Sequence, residues 1–439
     1  MRIDRRRFLC GCSAAIAATH GARFNSLAFG APGQGDEHLV VISLRGGMDG
    51  LNFLVPRAGA DRGHYEAARP DLQVPVASLV DIGSAAFGLH PSAAPLQAVF
   101  QDQGLAIVQA VGLAEVNRSH FAATRIMELG TGVDGGGNGW LTRHLATSSG
   151  IPVDALMPAV AVGYEMPYSL LGEFRTVNFG DPEGFNINYT HWNWRDKQKD
   201  ALEQLYGAGD TWMHDSGAQA KVAMDIIETH LGDPASYVPA NGAVYPTNDS
   251  LGEYLRYTAQ LIKLDLGLQV ATIDYGGWDT HEGQEGGTSG YFADQVGHLA
   301  QALAAFYMDL DDSASGDPLG RTTVVVTSEF GRELRQNADQ GTEHGFGNVM
   351  MVLGGSVNGG LYGTFPGLHE DQLFDGTDVA ATTDYRQVLA EILTKRLGTT
   401  DLNQVFPGYT GYSPMGLIQG ATGSIFADGF ESGSVGAWG

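Results

Sequence analysis

Cysteine is nearly absent from this 439-residue chain, and both copies, Cys10 and Cys12, fall within its first dozen residues. If that segment is removed, no disulfide framework and no thiol nucleophile remain. Positive charge is also scarce. Lys and Arg number 25 against 50 Asp and Glu, a net charge of −25. So acidic a chain lacks the basic footprint that nucleic-acid binding needs. An anionic substrate would be repelled unless a metal or an arginine reversed the field locally. No stretch beyond the N-terminus approaches the roughly 18 apolar residues of a membrane span. No repeat of fixed period is visible. What is plentiful is glycine, 62 residues, together with a hydrophobic fraction of 43%, ample for a large core joined by tight turns.

The N-terminal "DRRRFLCGCSAAIAATHGA" pairs Arg5 and Arg6 ahead of Phe8, Leu9 and a run of small residues. It looks like a twin-arginine export signal over residues 1–30, which implies the twin-arginine machinery as a partner and a periplasmic or secreted protein. "LCGC" faintly suggests a lipoprotein cleavage box ending at Cys12. At the other end, residues 420–439 are Gly/Ser-rich and acidic and read as a flexible tail.

Between these ends, short apolar or β-branched runs predict strands at His38–Leu44, Leu105–Val111, Ala159–Gly163, Leu268–Tyr275, Thr322–Ser328 and Val349–Gly355. Apolar residues at helical spacing predict helices at Arg118–Gly130, Arg195–Gly207, Ala220–Gly232, Leu251–Gly267, Tyr291–Asp312 and Asp384–Gly398. Strands alternating with long helices imply an α/β fold whose mainly parallel sheet is covered on both faces. Such folds bind ligands outside the carboxyl ends of the strands.

Polar clusters follow the predicted strands. "SLRGGMDGLN" carries Arg45, Asp49 and Asn52, with paired glycines that permit a tight turn. In "DYGGWDTHE", Asp279 and His281 are two apart, so an extended backbone points both the same way, a plausible metal pair. "VVVTSEFGR" turns from a buried valine run to Glu329 and Arg332, and "GTEHGFGN" carries Glu343 and His344. "NRSHFAATRIME" opens a helix with Arg118, Ser119 and His120. Free N–H groups at a helix start favour anions. A hydroxyl there beside a metal is a candidate nucleophile. Arg118 is suited to neutralising anionic oxygens, and His120 to donating a proton or binding metal. Each cluster also has a plainer reading. Asp49 can hold a turn, Asp279 and His281 can form a loop hydrogen bond, Glu329 can pair with Arg332, His344 can lie on the surface, and Ser119 can simply cap its helix. His90, in "FGLHP", reads as structural.

The phrases "LRGGMDGLN", "FGLHPS", "NRSHFAATRIMELGT", "GGWDTH", "TSEFGR", "HGFGNVMMVLGG" and "TTDYRQVLAEIL" resemble, in this order, the exported bacterial family called domain of unknown function 1501. That family looks like a branch of the alkaline phosphatase/sulfatase superfamily. The resemblance implies an alkaline-phosphatase-like α/β/α sandwich over 38–415 and hydrolysis of phosphate or sulfate esters with divalent metal. By analogy Asp49, Asp279, His281, Glu329 and His344 would be metal ligands and Ser119 the nucleophile. Arg45, Arg118 or Arg332 would balance transition-state charge, with His120 beside them. The metal would be Zn, Mn or Fe on a histidine-rich set, or Ca or Mg on an oxygen-rich one. Two departures stand out. Phe330 follows Glu329 where a histidine is expected, so a complete two-metal site is not implied. No Cys-x-Pro-x-Arg stretch is present, which argues against formylglycine chemistry. The alternatives are a non-catalytic exported binding or assembly protein on the same fold, and another metal-dependent reaction on a periplasmic carbohydrate or lipid.

Overall fold

The computed structural model describes residues 37–420 apart from 149–154, 156, 183–184, 186–191, 210 and 234–235. The proposed export signal, with Arg5, Arg6 and both cysteines, lies outside the described residues, as does the tail from residue 421 onward.

The runs that read as strands pair into one nine-stranded sheet. Its members are β1 (His38–Leu44), β2 (Leu105–Gly112), β3 (Ala159–Val162), β4 (Thr176–Phe179), β5 (Val270–Tyr275), β6 (Thr322–Ser328), β7 (Asn348–Leu353), β8 (Gly360–Tyr362) and β9 (Thr383–Asp384). The order is β8-β2-β7-β6-β1-β5-β3-β4, with β9 beside β2. Every pairing is parallel except those of β7, which runs against both β2 and β6. The expected α/β fold with a mainly parallel sheet is present.

Alternation along the central strands separates two helix layers. Val40, Ile42 and Leu44 of β1, with Val324 and Val326 of β6, face one core. That core is completed by Leu255 and Ile262 of helix Ser250–Leu264 and by Leu299, Leu303 and Phe306 of helix Tyr291–Leu310. Leu39, Val41 and Val325 face the other core, with Ala123 and Ile126 of helix His120–Leu129 and Leu389 and Leu393 of helix Tyr385–Lys395. Period two in a buried strand feeds both layers, which is why "VVV" is apolar throughout. Each such side chain contributes about 1.5–3 kcal/mol by leaving water.

Element ends differ from the sequence expectation where local chemistry intervenes. The helix expected to run to Gly267 stops at Leu264, because Asp265 takes the left-handed conformation (φ 55°). At its start Asp249 accepts from the N–H groups of Leu251 and Gly252, an N-cap not visible as periodicity. The helix expected from Ala220 begins at Trp212. Gly217 inside it looks like a breaker, yet a Cβ there would lie 2.3 Å from the Tyr206 ring, so the glycine serves close helix packing.

Candidate metal centre

Parallel strands put β1, β2, β5 and β6 carboxyl ends on one edge, with β1 flanked by β5 and β6. Strand β7 runs the other way, so its amino end, and His344 just before it, reaches the same edge. The loop Gly46–Gly47 after β1 is confined. A Cβ on Gly46 would lie 2.3 Å from the Asp279 backbone, and one on Gly47 (φ +69°) would lie 2.5 Å from the Phe330 ring. This explains the paired glycines of the first cluster.

Three histidines and one aspartate meet at this edge. The nearest ligand atoms of His120, Asp279 and His344 lie within 4.8 Å of one another. His281 Nε2 is 2.8 Å from His344 Nε2, and each is 3.1 Å from Asp279 Oδ1. His120 Nε2 is 3.3 Å from Asp279 Oδ2, off the line of a hydrogen bond, and has no other partner although buried.

The opposite ring nitrogens decide the tautomers. His120 Nδ1 is 2.7 Å from Glu329 Oε1, His281 Nδ1 is 2.8 Å from Glu343 Oε2, and His344 Nδ1 is 2.9 Å from the Arg118 carbonyl. All three partners are acceptors, so each Nδ1 carries a proton and donates it. In the neutral ring each Nε2 is then a bare lone pair. Lone pairs of His281 and His344 at 2.8 Å repel. A proton shared by those two would relieve that contact but leave His120 Nε2 orphaned. A cation bound by all three imidazoles and Asp279 satisfies every atom. The donor set therefore fits a divalent metal, with Nδ1 partners of the kind that orient metal-ligating histidines.

The charges agree with this. Burial works against ionisation of Asp279, but the Arg332 guanidinium at 2.6 Å outweighs it and holds its carboxyl down at about 2. His344 is lowered, first by burial and then by the neighbouring positive groups. His120 is raised, chiefly by its bond to Glu329. Glu329 stays low despite burial because His120 and the Gly46 N–H, at 2.8 Å, stabilise its charge. Phe330 forms an aromatic wall, its ring centroid 4.9 Å from that of His120 and 4.7 Å from that of His344.

Not every expected residue joins this group. Asp49 is 1% exposed and accepts from Arg69 Nη1 at 2.6 Å and Gln284 Nε2 at 2.7 Å, apart from the histidines. Glu329 lies one step out, on the far nitrogen of His120. Arg332 is buried. It pairs with Asp279 Oδ1 at 2.6 Å rather than with Glu329, and its other donors bond the carbonyls of Gly46, Gly47, Trp278 and Thr342. Arg45 pairs with Glu128 and Asp274 in a narrow cleft lined by Ser43, Thr272 and Thr327. Arg118 is half-buried and faces Asp378 and Asp375. Ser119 is exposed and occupies the expected N-cap position of helix His120–Leu129, although its hydroxyl makes no cap bond. Sequence reasoning passed over Arg69 and Gln284, since nothing in their neighbourhoods suggests chemistry.

Residues 197–411 match the family model described as "Protein of unknown function (DUF1501)". That segment is just under half of the chain. The DUF1501 segment holds Asp279, His281, Glu329, Arg332 and His344, while Asp49, Arg118, Ser119 and His120 precede it. No curated protein matches the sequence. Among solved structures, "Ps i-CgsB in complex with k-i-k-neocarrahexaose" is similar at TM-score 0.40 and 10% identity, over 85% of this chain and 74% of that one. The phosphonate monoester hydrolase of Agrobacterium radiobacter is similar at 0.29 and 11%, over 86% and 79%. BT1596, a 2-O GAG sulfatase, is similar at 0.30 and 11%, over 74% and 65%. At these scores the likeness carries nothing about residues or reaction.

Proposed function

We propose that this DUF1501 protein is an exported, metal-dependent hydrolase of phosphate or sulfate esters, with one divalent cation held by His120, Asp279, His281 and His344. The convergence of the His120, His281 and His344 Nε2 atoms on the Asp279 carboxylate carries the metal part of this reading. The ester part rests on the family resemblance of the motifs around them. Three imidazoles and one carboxylate suit Zn, Fe or Mn better than Ca or Mg, which prefer oxygen. The paired Arg5 and Arg6 support placement in the periplasm or outside the cell.

A cation bound there supplies Lewis-acid polarisation of an ester oxygen and acidifies a neighbouring hydroxyl. The chain's own groups supply the rest. Glu329 and the Arg118 carbonyl fix the His120 and His344 rings, and Arg332 keeps Asp279 charged. Ser119 immediately precedes His120, and its exposed hydroxyl is the candidate nucleophile. Arg118, one residue earlier and half-buried, is the candidate cation for an anionic substrate, although Asp375 and Asp378 compete for it. Phe330 fills the position where the resemblance leads one to expect a further histidine, which favours one metal over two.

The test is metal analysis of the purified protein, then a panel of aryl phosphate, phosphodiester and aryl sulfate substrates. One divalent cation per chain is expected, lost in Asp279→Ala and His344→Ala together with any ester hydrolysis. Ser119→Ala should lower turnover by about 100-fold or more if Ser119 attacks; undiminished turnover would assign the attack to water. No bound metal, with a melting temperature unmoved by metal or chelator, would overturn the reading.

A further inference from the structure

Behind the histidines lies a buried polar assembly that the proposed chemistry does not use. Gln284 is 1% exposed. Its Nε2 donates to Asp49 Oδ2 at 2.7 Å. Its Oε1 accepts from Thr280 Oγ1 at 2.8 Å and from Thr342 Oγ1 at 3.4 Å. This amide orientation is fixed by chemistry, since the reverse would press a carbonyl oxygen against a carboxylate. Thr280 stands between Asp279 and His281, and Thr342 two residues before His344. One amide oxygen thus holds both ligand-bearing loops. The Thr342 N–H also bonds the Thr280 carbonyl at 3.0 Å.

The other end of the assembly is ionic. Arg69, fully buried, donates to Asp49 Oδ2 at 2.6 Å, to the Leu334 carbonyl at 2.8 Å and to the Glu333 carbonyl at 2.9 Å. Leu334 and Glu333 belong to the strand Arg332–Gln336, whose partner strand ends at His344. Asp49 belongs to the loop whose Gly46 N–H bonds Glu329. Breaking a buried, fully paired network exposes uncompensated polar groups to an apolar interior, so the assembly has one arrangement.

We infer that Asp49, Gln284 and Arg69 form a positioning brace that sets the separation of Asp279 and His281 from His344, and so tunes metal affinity without touching metal. The inference rests on the metal reading above. Asp49 acts through Gln284, and Gln284 through the two threonines. Asp49 is therefore a positioning residue rather than a ligand.

Gln284→Met keeps side-chain length, leaves the Arg69–Asp49 pair intact and removes all three hydrogen bonds of the amide. Thr280→Val with Thr342→Val removes the two hydroxyls and leaves Gln284 on Asp49. Leu393→Ala, in the far helix layer, serves as a comparison that lowers stability through a cavity. Zinc affinity is measured by titration, the visible spectrum of the cobalt-loaded protein is recorded, and the metal-free melting temperature is taken for each. Both brace variants should bind zinc about 10–100-fold more weakly, with altered cobalt bands, as loss of groups supporting metal ligands does. Leu393→Ala should melt earlier with wild-type zinc affinity. If Gln284→Met does not fold, the double valine variant decides. Wild-type affinity and cobalt bands in the brace variants would overturn the inference while leaving the metal site standing. A wild-type protein that binds no zinc would remove the metal reading and the brace with it.

Discussion

The carboxylate of Glu329 bonds the far nitrogen of His120, so its charge would act on a bound metal through an imidazole. The same bond raises His120 above its ordinary value. Protons and metal compete for His120 Nε2, so metal affinity should fall as pH drops through a point above about 6.5, the unperturbed value. Glu329→Gln should move that point to lower pH and weaken binding at high pH by about tenfold or more. Zinc titrations between about pH 5 and 8 check this, and an unchanged midpoint would count against the Glu329–His120 linkage. Asp279 and His281 were legible in sequence, because two residues of extended backbone put them on one side. Asp49 looked equivalent but is not. Arg69, twenty residues along and fully buried, takes one side of its carboxylate, and no local pattern reveals such a pairing.

Loops, strand ends and the start of one helix carry these side chains, and the loop after β1 is tightly constrained. Gly47 has φ +69°, and a Cβ there would lie 2.5 Å from the Phe330 ring that packs on His120 and His344. Gly47→Ala combines a left-handed alanine with an overpacked aromatic contact, and should cost about 2–4 kcal/mol as well as metal affinity. Gly83→Ala has a similar φ of +73° with nothing within 4 Å, and should cost only about 1–2 kcal/mol. Urea unfolding of both checks the difference, and equal losses would contradict the contact. Strand positions were readable because buried β-branched runs stand out between glycines. The direction of β7 was not, since "VMMVL" is buried throughout and an apolar run has no polarity. That direction brings His344 to the carboxyl edge.

Across the molecule, three histidines outside the proposed metal group set the acid limit of stability. His38, His90 and His144 are buried, and desolvation pushes each down to about 4. Each is neutral when folded and takes a proton near 6.5 when unfolded, so its stabilising contribution is present above about pH 6.5 and lost as pH falls toward 4. The loss is on the order of 3 kcal/mol for each. Urea midpoints should therefore fall steadily between about pH 6.5 and 4.5, and a flat profile would contradict their burial as neutral rings. The α/β sandwich itself was legible, because alternating strands and long helices leave few other ways to cover a parallel sheet. Its carboxyl edge as the place for chemistry followed from the same topology. Which polar groups meet there did not, because the meeting depends on contacts between residues hundreds of positions apart. A chain of net charge −25 that gathers His120, His281 and His344 around the Asp279 carboxylate is arranged for a cation. X-ray absorption at the zinc edge of the zinc-loaded protein tests that arrangement most directly. One zinc per chain is predicted, with three imidazole nitrogens at about 2.0–2.1 Å and a carboxylate oxygen. Failure to bind zinc, or zinc surrounded only by oxygen, would contradict it.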